Sequence, residues 1–204
     1  MVTLENNNHV CITHYNDKLE WVNNLNLPFT IISRQNTEEN KWPNVGRKAS
    51  VYLKFIINNY DNLWGVTFFI GDTPTKKFID GNIWNVINNL KLTKDSKPGY
   101  SSITNSIPHS INNEELIKKF DKYKDFIEEA LNKKIDYHNF LGKVHNHFYV
   151  TKPTILKNSL EVYNKLYNGL KLKCEDMVNK GEEENPSVLL EQLFEYSWFY
   201  IFNN

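Results

Sequence analysis

The stretch that decides the fold is NVGRKASVYLKFIINNYDNLWGVTFFIGD, residues 44–72. Its middle has apolar side chains at the spacing of one helix face, at Tyr52, Leu53, Ile56, Ile57 and Tyr60. The run Val66–Ile70 that follows is apolar on consecutive residues, which is typical of a strand buried on both faces, as in a parallel sheet. Asp72 then lies where this strand ends, at the edge where open α/β sheets bind ligands.

Outward from this stretch, the chain alternates strands and helices. The runs His9–His14 and Phe29–Ser33 predict two earlier strands, with a short helix between them that ends at Pro28. This alternation predicts an α/β fold with a mostly parallel sheet flanked by helices. The rest of the chain predicts a helix over 79–92, a loop over 94–108, a helix over 116–131, a strand over 144–150, and helices from Thr151 and Pro186.

Length and composition restrict the class of protein. The 204 residues predict a single domain, 1–204, and the formal net charge of zero gives no field that would attract nucleic acid. The sequence shows neither a secretory signal nor an apolar run long enough to span a membrane, so we expect a cytoplasmic protein. Cys11 and Cys174 lie far apart in apolar segments, as expected of buried thiols in a reducing compartment.

Several catalytic signatures are missing from the sequence. It has no Gly-x-Gly-x-x-Gly, no phosphate-binding loop ending in Gly-Lys-Ser/Thr, no Gly-x-Ser-x-Gly and no Cys-x-x-Cys. These absences weigh against a dinucleotide-dependent dehydrogenase, a P-loop kinase, a serine hydrolase and a structural zinc site.

Two candidate ligand-binding residues flank the central helix. Arg47 lies near its predicted start, where backbone N–H groups favour phosphate, and its guanidinium can clamp a diphosphate. It is one of only two arginines, with Arg34, and its alternative role is that of an ordinary surface residue. Asp72 can hold a divalent cation through its oxygens or can simply form the turn after Gly71.

Three further groups are candidates. His145 and His147 share one face of a predicted strand, so they are either metal ligands or ordinary polar-face histidines. Glu191 and Glu195 are four residues apart on the last helix, so they are either surface charges or, if their face lines a pocket, a general base. The segment His14-Tyr15-Asn16-Asp17 follows the first strand at the same expected edge as Asp72, and it can also be a simple helix cap.

Four segments in the same order resemble a known family. The segments are His14-Tyr15-Asn16-Asp17 with Trp21-Val22, Asn44-Val45-Gly46-Arg47 with Tyr52-Leu53 and Asn59-Tyr60-Asp61, Phe68-Phe69-Ile70-Gly71-Asp72 with Pro74, and Glu195 with Trp198, Ile201 and Phe202. They are similar to those of a family catalogued as a domain of unknown function, found in fungi, bacteria and large DNA viruses, that resembles nucleotide-sugar glycosyltransferases. The resemblance covers most of the chain outside about 91–140.

This resemblance implies a GT-A-like, Rossmann-like fold and a glycosyltransferase. Such an enzyme moves a sugar from a nucleotide-diphosphate donor, such as a UDP- or GDP-sugar, to a hydroxyl of a glycan or glycoprotein acceptor. His14, Tyr15, Asn16, Asp17, Asn44, Gly46 and Arg47 would bind the nucleotide. Asp72, with His147, would hold Mn²⁺ or Mg²⁺, and Glu195 or Glu191 would deprotonate the acceptor.

One departure from the family pattern keeps other functions open. The metal-binding Asp-x-Asp of GT-A enzymes stands here as Ile70-Gly71-Asp72, with only the second aspartate. The alternatives are therefore a non-catalytic protein that binds nucleotide-sugars or glycans, and a virion or scaffold component whose aromatic last helix docks a partner. The Asn- and Lys-rich composition suits a large DNA virus, in which case the expected location is the host cytoplasm.

Overall fold

Five strands form one sheet in the part of the chain that the computed structural model describes, which is residues 7–15, 18–34, 45–71, 83–89, 99–103, 111, 113–140 and 146–203. The strands are β1 (Asn8–His14), β2 (Phe29–Ser33), β3 (Val66–Gly71), β4 (Tyr100–Ser102) and β5 (Phe148–Thr151). Their order across the sheet is β2-β1-β3-β5-β4. The three strands predicted in the first third of the chain are therefore confirmed.

Seven α-helices pack around this sheet in the same described residues. They are α1 (Lys48–Asn59), α2 (Ile83–Asn89), α3 (Glu114–Tyr123), α4 (Asp125–Leu131), α5 (Lys152–Ile155), α6 (Leu160–Lys180) and α7 (Pro186–Phe202). Short 3₁₀ helices lie at Glu20–Asn24 and Tyr60–Asn62. The single helix expected over 116–131 is divided at Lys124 into α3 and α4, and the helix expected from Thr151 is divided into α5 and α6.

The sheet is mixed, so the prediction of a mostly parallel sheet is wrong. Strand β1 is parallel to β2 and β3, as expected, but β5 is antiparallel to both β3 and β4. An apolar run such as β5 fits either direction, because direction is set by the connection that precedes a strand and not by its own residues. Strand β4 lies inside 94–108, which we expected to be a loop because Ser, Pro, Gly and Asn dominate it.

Apolar side chains cover both faces of the sheet. All six residues of β3 are buried, which confirms the prediction of a strand buried on both sides. On one face Phe69 and Phe148 pack with side chains of α1, α3, α4, α6 and α7. On the other face Phe68 and Ile70 pack with the 3₁₀ helix Glu20–Asn24 and with α2. Trp198 of α7 is completely buried against this sheet, with its ring 5.4 Å from that of Phe148.

The turn before α1 has a backbone conformation that only glycine adopts easily. Gly46 has φ +64°, and a Cβ atom there would lie 2.7 Å from the side chain of Leu170 on α6. The turn therefore brings the first residue of α1 close to α6 and to the end of the sheet.

We predict that Gly46→Ala destabilises the fold more than Gly181→Ala does. Gly181 has nearly the same φ, +63°, but a Cβ atom there would meet no described atom within 4 Å, so alanine adds only backbone strain of about 1–2 kcal/mol. At Gly46 the contact with Leu170 adds a further 1–3 kcal/mol, roughly, from overpacking. Chemical denaturation of both variants measures the free energies of unfolding, and equal losses would contradict the packing argument.

Candidate functional site

The candidate site lies at one edge of the sheet, where chain segments distant in sequence meet. The carboxyl ends of β1, β2, β3 and β4 lie at this edge together with the amino end of β5, as the strand registers require. Helix α1 also begins at this edge, since Lys48 lies next to Gly71 at the end of β3. We call this region the strand-end site.

Two cations at the start of α1 hold a buried carboxylate of α7. The Arg47 Nη1 atom lies 3.1 Å from Glu191 Oε2, and the Lys48 Nζ atom lies 3.7 Å from Glu191 Oε1. The Glu191 side chain is only 7% exposed, whereas that of Arg47 is 37% exposed. The two residues predicted separately as a phosphate clamp and a possible base therefore form an ion pair.

Arg47 also has an unusual backbone. Its φ of +49° is rare for a residue other than glycine, and the hydroxyl of Ser50 donates a hydrogen bond of 2.9 Å to its carbonyl oxygen. Such conformations cost about 1–3 kcal/mol and cluster at functional sites. The fold thus holds the guanidinium at the strand ends in spite of this cost.

Glu195 lies beside Glu191, and Asn146 connects the two carboxylates. The Asn146 Nδ2 group donates to Glu195 Oε1 and lies 3.4 Å from Glu191 Oε1. The backbone carbonyl of Asn146 in turn accepts a 2.8 Å hydrogen bond from the buried hydroxyl of Tyr52. The expectation that Glu191 and Glu195 share a helix face is confirmed, because one amide contacts both.

Burial raises the pKa of Glu195 to about 7, and the negative charge of Glu191 acts in the same direction. Lys48, the hydrogen bond from Asn146 and Arg47 act in the opposite direction on this pKa. A carboxyl group with a pKa near neutrality can take a proton from a substrate at physiological pH, which a carboxylate with an ordinary pKa does poorly.

His147 contacts the end of β3. Its Nδ1 atom accepts a 3.0 Å hydrogen bond from the backbone N–H of Gly71, so the neutral ring carries its proton on Nε2. In this arrangement neither nitrogen offers a lone pair to a metal ion, which disfavours the proposed role of His147 as a ligand. The Nε2–H group is instead a hydrogen-bond donor at the strand ends.

His14 and Tyr15, two of the residues predicted to bind the nucleotide, lie at the carboxyl end of β1, next to the end of β2. The Arg34 guanidinium carbon lies 5.3 Å from the centre of the Tyr15 ring, and the Arg34 backbone N–H donates to the His14 carbonyl oxygen. Arg34 is 4% exposed, whereas Tyr15 is 41% exposed. The structure therefore brings His14 and Tyr15 together with the second of the two arginines at this edge.

Several predicted site residues lie outside the described residues. These are Asn16, Asp17, Asn44, Asp72 and His145. Within the described residues, no group of three or more His, Cys, Asp or Glu side chains is arranged to hold a metal ion. Across those same residues, the helices are all too short or too polar to cross a membrane.

The sequence alone does not single out Lys48 or Asn146. In the sequence Lys48 is merely the neighbour of Arg47, and Asn146 stands between two histidines whose spacing indicates metal binding. Their roles depend on contacts with α7, more than 40 positions later in the chain, which leave no local pattern.

An open cavity of about 310 Å³ between β2 and α1, lined by Thr30, Ser33, Asn58 and neighbouring residues, contains none of the candidate site residues.

A family model described as "Protein of unknown function (DUF3431)" matches residues 10–204 of the chain. No curated protein and no solved structure matches the chain.

We predict that the pKa of Glu195, about 7, falls in Glu191→Gln and rises in Lys48→Met. Glu191→Gln removes a negative charge near Glu195, and Lys48→Met removes a positive one. The control is Glu175→Gln on the exposed face of α6, which should leave the pKa of Glu195 unchanged. Carbon-13 NMR of the glutamate carboxyl groups, assigned with Glu195→Gln, measures each titration. A wild-type value near the ordinary 4.5 would contradict the burial argument.

The same pKa shift has a consequence for stability. Because the folded-state pKa of Glu195 lies above its ordinary value, the folded state binds more protons than the unfolded state between about pH 4.5 and 7. The contribution of this group to the free energy of unfolding is therefore greatest below pH 4.5 and is lost as the pH rises through 7. The free energy of unfolding of the wild type should therefore fall relative to that of Glu195→Gln as the pH rises over this window.

Proposed function

We propose that this chain, which belongs to the family of proteins of unknown function described as DUF3431, is a glycosyltransferase with a GT-A-like fold. It would move a sugar from a nucleotide-diphosphate donor to a hydroxyl group of a glycan acceptor. The observation that carries this proposal is a cluster at the carboxyl ends of parallel strands, in which Arg47 and Lys48 hold Glu191 and Asn146 links Glu191 to Glu195, whose pKa is raised to about 7. Open α/β sheets bind ligands at this edge.

Arg47 and Lys48 are the proposed contacts for the diphosphate. A guanidinium offers two parallel N–H groups to phosphate oxygens, and an ammonium adds a point charge. Both cations contact Glu191 in this structure, so a diphosphate would replace that carboxylate as their partner.

Glu195 is the proposed general base. As the oxygen of the acceptor hydroxyl forms a bond to the anomeric carbon of the donor sugar, the hydroxyl proton passes to the Glu195 carboxylate. The bond from the anomeric carbon to the diphosphate oxygen breaks, and the electron pair leaves with the nucleoside diphosphate. Glu191 is the weaker candidate for the base, because Arg47 and Lys48 already pair with its carboxylate.

The proposed Mn²⁺ or Mg²⁺ site depends on Asp72, which follows Gly71 at the end of β3 in the sequence. The described residues near that position do not supply a ligand set, since His147 accepts a hydrogen bond from Gly71. We therefore propose that Arg47 and Lys48 offset the negative charge of the diphosphate. Dependence of the reaction on a metal ion held by Asp72 remains a prediction.

We predict that a nucleotide-sugar or its nucleoside diphosphate raises the melting temperature of the chain, and that Arg47→Met abolishes this rise. Glu195→Gln should retain the rise but lose about 10²–10⁴-fold in sugar transfer, because it loses only the proton acceptor. Glu175→Gln is the matched control and should behave like wild type. The melting temperatures and the transfer rates are measured with Mn²⁺, with Mg²⁺ and with EDTA. Asp72→Ala is the variant that tests the proposed metal site.

Three outcomes would contradict this proposal in different ways. Full transfer by Glu195→Gln would exclude it as the base. Donor binding without transfer or donor hydrolysis under every metal condition would indicate a non-catalytic binding protein. The absence of any donor-dependent shift, together with a stable complex with another protein, would indicate a scaffold.

A further inference from the structure

Three buried polar atoms of Tyr100, Asn146 and Trp198 have no hydrogen-bond partner among the described residues. They are the Tyr100 hydroxyl, the Asn146 Oδ1 atom and the Trp198 Nε1 atom. Buried polar groups are nearly always hydrogen-bonded in native proteins, so each exception requires an explanation. Asn146 contacts Glu195 through its amide, and the rings of Tyr100 and Trp198 both pack on Phe148, at 5.2 and 5.4 Å.

The orientation of the Asn146 amide follows from its neighbours. Its Nδ2 group faces the carboxylates of Glu191 and Glu195, and a reversed amide would place two oxygens against each other. Asn146 is 5% exposed and its backbone carbonyl is held by Tyr52, so the side chain has little freedom to turn. The Oδ1 atom is therefore a fixed acceptor that lacks a donor among the residues that the structure describes.

The Tyr100 hydroxyl is an equally fixed donor. Its ring packs against Phe148 at 5.2 Å and stacks on Phe202 at 5.5 Å. Burial, and then the negative charge of Glu195, raise the pKa of Tyr100 well above its usual range. The Tyr100 hydroxyl therefore keeps its proton, and the negative charge of Glu195 acts on its pKa.

These atoms are complementary to an alcohol. A hydroxyl group donates one hydrogen bond and can accept two, and the proposed site offers a phenol donor together with amide and carboxylate acceptors. A phosphate, which only accepts when ionised, would meet the oxygens of Asn146 and Glu195 unfavourably. A sugar hydroxyl is a better match to this set of atoms.

We propose that Tyr100 and Asn146 form, together with Glu195, a binding subsite for the acceptor's reacting hydroxyl group. This inference rests on the proposed transferase function and adds two residues to it. Tyr100 donates to the oxygen of the reacting hydroxyl, this hydroxyl gives its one hydrogen to Glu195, and a neighbouring hydroxyl of the sugar donates to Asn146 Oδ1. The phenol positions the nucleophile, and the proton passes to Glu195 as the new bond to the sugar forms.

The first test compares two buried tyrosines. The Tyr163 hydroxyl donates a 2.8 Å hydrogen bond to the Ile155 carbonyl oxygen, so Tyr163→Phe should lower the melting temperature. Tyr100→Phe removes a hydroxyl without a partner among the described residues and should melt at or above the wild-type temperature. A fall in Tyr100→Phe as large as that in Tyr163→Phe would show that this hydroxyl has a structural role, and would overturn the proposal.

The second test detects the subsite without requiring transfer. Methyl glycosides of glucose, galactose, mannose, xylose and N-acetylglucosamine are titrated into the protein, with and without a nucleoside diphosphate, while carbon-13 NMR follows the Glu195 carboxyl group. We expect at least one glycoside to shift this signal. Tyr100→Phe should weaken that binding about tenfold, the loss of one hydrogen bond, while Tyr163→Phe should leave it unchanged.

The outcomes separate this inference from the proposed function. If no glycoside moves the Glu195 signal, or if Tyr100→Phe binds as well as wild type, the subsite proposal is wrong even when a nucleotide-sugar binds and reacts. If a glycoside binds through Tyr100 but no nucleotide-sugar raises the melting temperature, the subsite stands and the transferase proposal fails.

Discussion

The structure of the site depends on one buried ion pair, between Glu191 of α7 and the two cations at the start of α1. A carboxylate as buried as Glu191 costs several kcal/mol unless it is paired and hydrogen-bonded, and here Arg47, Lys48 and Asn146 supply those contacts. The pair joins the last helix to the central helix, and Asn146 extends this contact to β5. Removing Glu191 would take away the carboxylate that Arg47, Lys48 and Asn146 share, so this one side chain holds the three segments together at the strand ends.

The same pair gives two neighbouring carboxylates different surroundings. Glu191 has two cations within 4 Å, whereas Glu195 accepts a hydrogen bond from the Asn146 amide. Burial and the charge of Glu191 therefore raise the pKa of Glu195 towards neutrality. Pairs of titratable groups with such different environments are how proteins obtain an acid or base that works near pH 7. Two cations that can bind an anion therefore lie next to a carboxylate, Glu195, that can accept a proton from a hydroxyl group.

Much of this arrangement could be predicted from the sequence where the pattern is local. The consecutive apolar residues of β3 identified a strand buried on both faces, and the spacing of Glu191 and Glu195 identified a shared helix face. The antiparallel direction of β5 could not be predicted, because its four residues fit either direction. Strand β4 escaped notice because its three residues lie among Ser, Pro and Gly. The role of Asn146 depends on carboxylates 45 and 49 positions away, and no local signal marks such a contact.

The most direct measurement is a crystal structure of the chain with the nucleoside diphosphate that stabilises it. We expect the diphosphate to lie at the strand ends, with its oxygens within about 4 Å of the Arg47 guanidinium and with Glu191 displaced from that side chain. Glu195 should face the side from which an acceptor would approach. A nucleotide bound in the cavity between β2 and α1, lined by Thr30, Ser33 and Asn58, with the Arg47–Glu191 pair intact, would contradict the account.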